Sequence, residues 1–183
     1  YKQAHFLYRD EIQPQLASAG VHILNYSKLN VSQHSAVDAY FQRNVYPVLT
    51  PLVLDSAHPF PHISNLSLNL AVIIRDTKGG EKFARLKVPE TLPRLIHFED
   101  SANREQDGSD LKEQYFTWLD QVIVANLSSL FNGMEVVESH LFRVVRDADI
   151  EIQQLEADDL LQAMERTLQK RKFGSVVKIA IHR

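Results

Sequence analysis

The segment from Leu68 to Val88 constrains the fold of this chain more than any other part of the sequence. Apolar residues recur at every second position in its first half: Leu68, Leu70, Val72 and Ile74. This period is typical of a β-strand. Residues 77–80 supply a turn, and a second apolar run returns from Phe83 until Pro89 ends it. The segment therefore predicts an antiparallel hairpin.

Helical spacing predicts helices on the N-terminal side of this hairpin. The first helix carries apolar or aromatic residues at three- and four-residue intervals up to Ala19, and Gly20 follows as its cap. Pro14 should kink or shorten this helix. A brief strand follows at residues 21–24, and Ser32 is the expected N-cap of the next helix.

The C-terminal half predicts further helices and strands. Residues 115–131 are strongly apolar, which predicts a helix buried on two sides, either within this domain or partly against another chain. A last helix is expected at 155–172, and strands are expected at 95–98, 141–145 and 176–181. The polar stretch 99–113 predicts a mobile loop. The fold class is therefore α+β, a single domain with a largely antiparallel sheet and helices packed on it.

Composition excludes several classes of function. The 183 residues carry 20 Lys and Arg against 23 Asp and Glu, a net charge of −3, which argues against a nucleic-acid binder. The absence of cysteine excludes disulfides and thiolate chemistry. No apolar run is long enough to predict a transmembrane segment. The chain lacks an initiator Met and a secretory signal, which indicates a piece of a longer protein or terminal processing.

Four groups of polar residues are candidates for chemistry. His58 and His62 bracket a proline-rich loop and could bind a metal, although we favour packing within the loop. The acidic run at 147–151 resembles the start of a calcium loop but lacks its glycine and its closing glutamate. Arg143 and Arg146 could bind phosphate, or could pair with neighbouring acids, which we favour. Lys170 to Lys172 form a basic run that suits a helix C-terminus. The sequence has no glycine-rich phosphate loop and no nucleophile elbow.

Several segments together resemble polyphosphate kinase, a bacterial enzyme family. They agree in order and spacing across nearly the whole chain, which is more specific than any single motif. The matching segments are residues 40–41, 45–52, 55, 58–61, 64–72, 83–89, 92–94, 142–149 and 170–174. The resemblance is to the family's middle portion, called the head domain, with residues 1–20 as a helix leading into it and 21–183 as the domain.

The resemblance implies a segment of a cytoplasmic, membrane-associating phosphoprotein enzyme. The parent would transfer the terminal phosphate of ATP to polyphosphate through a phosphohistidine, with Mg²⁺. We expect this segment to hold no catalytic, cofactor or metal residue, to contact the N-terminal and C-terminal catalytic domains, and to lack kinase activity alone. The family's head domain is associated with homodimer formation, which fits an over-apolar helix at 115–131.

Two rival functions belong to other classes. In the first, the chain is a polyanion-binding module in which five cations of one sheet guide polyphosphate: Arg85, Lys87, Arg94, Arg143 and Arg146. Strand alternation could instead scatter these cations over both faces of the sheet. In the second, ranked last, His58 and His62 form the metal site of a hydrolase. No nucleic-acid partner is expected.

Overall fold

The computed structural model describes residues 2–54, 60–99, 113–147 and 174–182. The chain divides into two compact units. Unit 1 comprises Tyr1–Leu49 and Pro89–Asn132, and unit 2 comprises Thr50–Val88 and Gly133–Arg183. Helices together with two mostly antiparallel sheets confirm the α+β class. Within the described ranges, none of the helices combines the length and hydropathy that a bilayer crossing needs.

The described residues form five α-helices and eight β-strands. The helices are α1 (Lys2–Leu7), α2 (Gln13–Ser18), α3 (Val31–Tyr40), α4 (Leu119–Ala125) and α5 (Leu127–Leu130). The strands are β1 (Val21–Leu24), β2 (Leu52–Val53), β3 (Leu68–Arg75), β4 (Glu81–Lys87), β5 (Leu95–Phe98), β6 (Gln114–Trp118), β7 (Glu135–Arg146) and β8 (Val176–Ile181). These bounds confirm the strands predicted at 21–24, 95–98, 141–145 and 176–181. The helix predicted at 155–172 and most of the 99–113 loop lie outside the described residues.

The N-terminal helix of unit 1 accommodates Pro14 by changing its pitch. A π-helical turn at Tyr8–Ile12 connects α1 to α2, and Pro14 lies in the first turn of α2. Proline has no N–H to donate and clashes with the carbonyl one turn earlier, so the wider π turn relieves both defects. The helix ends as expected, because Gly20 has a φ of 78°.

The N-cap of α3 lies two residues earlier than the sequence predicts. Asn30, not Ser32, is the N-cap: its side chain accepts a hydrogen bond from the Gln33 N–H, and the Gln33 side chain accepts one from the Asn30 N–H. The Ser32 hydroxyl donates to the same Asn30 oxygen. This reciprocal capping box satisfies two donors, which a serine inside the helix cannot do.

The predicted helix at 115–131 is wrong in its first part. Residues Gln114–Trp118 form β6, the central strand of the unit 1 sheet, whose order is β1-β6-β5. β6 pairs in parallel with β1 and antiparallel with β5. Aromatic and β-branched residues favour a strand here, and a central strand is apolar on both faces. The following helices bury Leu119, Val122, Ile123 and Leu127 within the chain. The apolar excess therefore does not require a partner.

The sheet of unit 2 has the strand order β2-β4-β3-β7-β8, and all its neighbours are antiparallel. β3 and β4 form the predicted hairpin. We call its two sides face A and face B. Face A carries buried apolar side chains: Leu70, Val72, Ile74, Ala84 and Leu86. Face B carries the alternate positions of the hairpin, among them Asn69, Ala71, Arg85 and Lys87.

Residues 60–67 lie against face B and are tied to β7. Ile63 packs with Phe142 and Val144 of β7 in a small buried cluster that Ala71 also touches. The Leu66 N–H donates to the Val144 carbonyl at 2.8 Å. Leu66 has a φ of 62°, a conformation that a leucine side chain adopts only when its surroundings impose it. This loop therefore has one fixed path over the sheet.

Candidate functional site

Two of the five cations expected to contact a polyanion lie together on face B of unit 2. Arg85 and Lys87 are two residues apart on β4, so both side chains leave the same face, with their Cα atoms roughly 7 Å apart. In the register of the sheet, Arg85 faces Ala71 and Lys87 faces Asn69. Both cations are half-buried.

A chain of hydrogen bonds from the loop orients Arg85. Its Nε donates to Asn69 Oδ1 at 2.9 Å. The Asn69 Nδ2 donates to the carbonyl and the hydroxyl of Ser67, both at 3.0 Å, and the Ser67 hydroxyl donates to the Ser64 carbonyl at 2.8 Å. Asn69 is 0% exposed and Ser67 is 3% exposed. Because these two side chains cannot rearrange into solvent, the position of the Arg85 guanidinium is set by the fold.

Burial acts on the charged guanidinium of Arg85. Burial lowers the pKa of its guanidinium below the ordinary value, because a charge is harder to keep away from water. Arginine nevertheless remains charged at neutral pH. Among the described residues, no carboxylate forms an ion pair with Arg85. The arrangement is thus a fixed, partly desolvated cation, which is chemically suited to an oxyanion.

Arg146 also lies on the side of face B, but the fold uses its donors. Its Nε donates to the Ile63 carbonyl at 2.8 Å, and its Nη1 donates to the Gly174 carbonyl at 2.7 Å. Its backbone N–H donates to Asn65 Oδ1 at 2.9 Å. Arg146 therefore clamps the 60–67 loop and Gly174, two residues before β8, onto the end of β7. Where the structure describes the chain, Arg146 forms no ion pair with an acid, whereas the sequence favours pairing with its neighbouring acids.

The other two cations do not belong to face B of the unit 2 sheet. Arg143 pairs in register with Leu68, which puts it on face A, where it is exposed. Arg94 belongs to unit 1 and forms an ion pair with Asp120 at 3.1 Å. The five candidates therefore do not share one sheet, and strand alternation divides those of unit 2 between its two faces.

The residues that sequence reasoning considered for a metal do not assemble in the described part of the chain. His62 is exposed, while His58 and residues 148–151 of the acidic run lie outside the described residues. Where side chains are described, no group of three or more His, Asp or Glu is placed to hold a metal ion.

Asn69 is the residue of this site that the sequence did not single out. A signal was present, because asparagine is depleted inside strands and here it interrupts an apolar run. Such a residue at a buried position needs hydrogen-bond partners.

Comparison with known proteins identifies the class to which this fold belongs. The family model described as the polyphosphate kinase middle domain matches residues 32–183. The chain therefore belongs to the polyphosphate kinase middle-domain family, which confirms the resemblance seen in the sequence.

Individual relatives carry the same name. The polyphosphate kinase of Aphanizomenon baltica is 45% identical over 174 residues, covering 94% of this chain and 45% of the relative. Polyphosphate kinase 1 of Chlorobaculum tepidum is 44% identical over 176 residues, covering 96% of this chain and 25% of the relative. The crystal structure of polyphosphate kinase from Porphyromonas gingivalis has a TM-score of 0.64 at 22% identity, covering 78% of this chain and 23% of that one. That structure supports the fold alone. The chain spans between 23% and 45% of the length of these relatives.

Proposed function

We propose that this chain is the non-catalytic head segment of a polyphosphate kinase. In this proposal the parent enzyme, located in the cytoplasm and able to associate with a membrane, transfers the terminal phosphate of ATP to polyphosphate through a phosphohistidine. ATP and Mg²⁺ bind to the parent outside this segment. The segment holds homodimer contacts, adjoins the N-terminal and C-terminal catalytic domains and helps to frame the tunnel that the catalytic domains build.

The way in which the fold uses its arginines carries this proposal. The Arg146 guanidinium donates hydrogen bonds to two backbone carbonyls, and Arg94 forms an ion pair with Asp120. Bound in this way, these groups stabilise the fold and are not available to clamp a transferring phosphoryl group. An architectural role is the function that such contacts support best.

A turnover assay tests the architectural proposal. The purified 183-residue chain, given ATP and Mg²⁺, is expected to form no polyphosphate above the buffer blank, while the full-length parent enzyme serves as the positive control. The measurement is the accumulation of acid-insoluble radiolabelled phosphate from labelled ATP. Turnover that follows the chain through two orthogonal columns and disappears when the chain is removed by antibody would contradict the proposal.

A second candidate function is that of a polyanion-binding module, favoured by the presence of Arg85 and Lys87 on one face. Titration of the chain with long-chain polyphosphate at several salt concentrations tests it. Each phosphate neutralised on a linear polyanion contributes about 0.7 to the slope of log K against log salt. A track of five cations predicts a slope of about 3 to 4, whereas a single pair predicts about 1 to 2. Absence of binding at the lowest salt rejects the module and leaves the architectural role.

A further inference from the structure

We propose that Asn132 is a covalent modification site of the folded chain, at which the side-chain amide is lost and L-isoaspartate is formed. The reacting pair is Asn132 and Gly133, in the turn between α5 and β7. Asn132 is the one asparagine in the sequence that precedes a glycine. This inference goes beyond the proposed function and is independent of it, because it concerns one peptide unit and not a ligand of the chain.

The turn leaves both reacting groups accessible to solvent. Asn132 and Gly133 lie outside the helices and strands, and both residues are exposed. Among the hydrogen bonds of the described residues, none engages the Asn132 side chain or the Gly133 N–H. A backbone N–H that no acceptor holds can lose its proton to hydroxide, which leaves a nucleophilic nitrogen. No hydrogen bond of the described residues therefore has to break before the reaction begins.

Gly133 removes the steric barrier to the reaction. Its φ is 76°, in the left-handed region that favours glycine. A Cβ at this position would have no atom within 4 Å beyond the two adjacent residues, so the surroundings of the Gly133 nitrogen are open. Because glycine has no side chain of its own, its nitrogen can turn toward the Cγ atom of Asn132 without a clash.

The reaction needs no reagent other than water and hydroxide. Hydroxide takes the proton from the Gly133 nitrogen, which attacks the Asn132 Cγ, and the amide nitrogen leaves as ammonia after taking a proton from water. The product is a cyclic succinimide. Water then adds to one of its carbonyl carbons and breaks the bond from that carbon to the Gly133 nitrogen. Addition at the main-chain carbonyl leaves the chain connected through Cγ, which is isoaspartate. The net change is loss of ammonia and gain of water.

The product differs from the original residue in charge and in the length of the main chain. Isoaspartate adds one carboxylate to a chain of net charge −3, and it adds one main-chain carbon between α5 and β7. Its free acid is the former main-chain carboxyl group, because the chain now continues through the former side chain. This group makes the turn an acceptor for enzymes that esterify isoaspartyl carboxylates with a methyl donor.

Ageing of the 183-residue chain tests the proposal. Folded and guanidinium-unfolded samples are incubated in the same mildly alkaline buffer, and peptides are mapped by mass spectrometry with a fragmentation that distinguishes isoaspartate from aspartate. Because the turn is exposed and its N–H is not engaged, the rate at Asn132 in the folded chain is expected to lie within about fivefold of the unfolded rate. A folded rate slower than this would show that the fold protects the turn, and it would overturn the proposal.

Two other asparagines serve as internal controls in the same digests. Asn69 is 0% exposed and donates to Ser67, while Asn126 donates to the Val122 carbonyl at 3.0 Å. Both precede a leucine. In the folded chain each is expected to lose its amide at least about tenfold more slowly than Asn132, because its side chain is held and its successor is bulky. Equal rates at the three positions would overturn the assignment to Asn132.

Asn132→Gln is the matched variant, because it keeps an amide at this exposed position but adds a methylene that prevents the five-membered ring. Far-UV circular dichroism establishes that it folds. In aged wild type, an isoaspartate carboxyl methyltransferase is expected to place a labelled methyl group on the peptide that contains residue 132. The same peptide of aged Asn132→Gln is expected to carry at least about tenfold less label, since a longer side chain cannot close that ring. A wild-type peptide without label above that of the variant would overturn the proposal.

Discussion

Replacement of Ile123 by alanine is expected to lower the free energy of unfolding of unit 1 by about 3 kcal/mol, within the 2–5 kcal/mol typical of large-to-small core changes. Ile123 is 0% exposed in α4, and the lost side-chain atoms would leave a cavity in the core of this unit. The measurement is urea denaturation followed by fluorescence of Trp118, the one tryptophan in the chain, which lies in β6 immediately before α4.

The neighbouring residue provides the control for this prediction. Val124 lies on the same helix but is 40% exposed, so Val124→Ala should change the free energy of unfolding by no more than about 0.5 kcal/mol. The pair of variants also decides what the apolar segment is for. If Ile123→Ala left unfolding unchanged and instead weakened self-association, Ile123 would be contacting a partner and its assignment to the core would be wrong.

Replacement of Arg146 by glutamine is expected to destabilise unit 2 by about 2–4 kcal/mol. The substitution removes two hydrogen bonds from a charged donor and leaves the carbonyls of Ile63 and Gly174 without that partner. The local effect should be largest where the clamp acts. Hydrogen exchange should therefore accelerate at the Leu66 N–H, which donates to Val144, and at the Asp147 N–H, which donates to Ser175.

Two variants check the origin of that loss. Arg143→Gln, on the same strand but exposed, should stay within about 0.5 kcal/mol of wild type. Arg146→Lys keeps the charge but cannot reach two carbonyls with a planar fork, so it should recover only part of the stability. Full recovery by lysine would show that charge, and not the double hydrogen bond, holds the loop and β8 in place.

The elements whose signal is local were predictable from the sequence. The β3–β4 hairpin is marked by period-two alternation and a glycine turn, and both are contained within about twenty residues. The signal that ends the first helix at Gly20 is equally local, because a helix end with positive φ requires a residue that tolerates that conformation. The α+β class followed from these elements without knowledge of how the strands pair.

Elements that depend on distant partners were not predictable in the same way. Residues 114–118 become a strand because β1 and β5 flank them, and β1 lies far away in the sequence. The apolar spacing of this segment fits a helix equally well, so only tertiary pairing decides between them. Pro14 was expected to kink or shorten its helix, whereas a π-helical turn just before it accommodates the proline within the helix.

The candidate site was predicted in part, and the reason is again strand pairing. Side chains alternate between the two faces along β4, so Arg85 and Lys87 lie on one face. Their separation by two residues in the sequence already indicates this. The position of Arg143 on the opposite face depends on the register between β3 and β7. The presence of Arg94 in unit 1 depends on which of the two sheets takes β5, the strand that begins at the next residue, and no local pattern encodes that choice.

The interleaving of the two units along the chain sets the order in which they can be completed during synthesis. β1 leaves the ribosome early, but its only neighbour in the described sheet is β6, roughly ninety residues downstream. At about 5–20 residues per second, β1 waits about 5–20 s for that partner. The β3–β4 hairpin emerges during this interval and needs no later strand to pair. Of the two sheets, that of unit 2 is therefore expected to become ordered first on the nascent polypeptide, although β1 of unit 1 precedes it in the sequence.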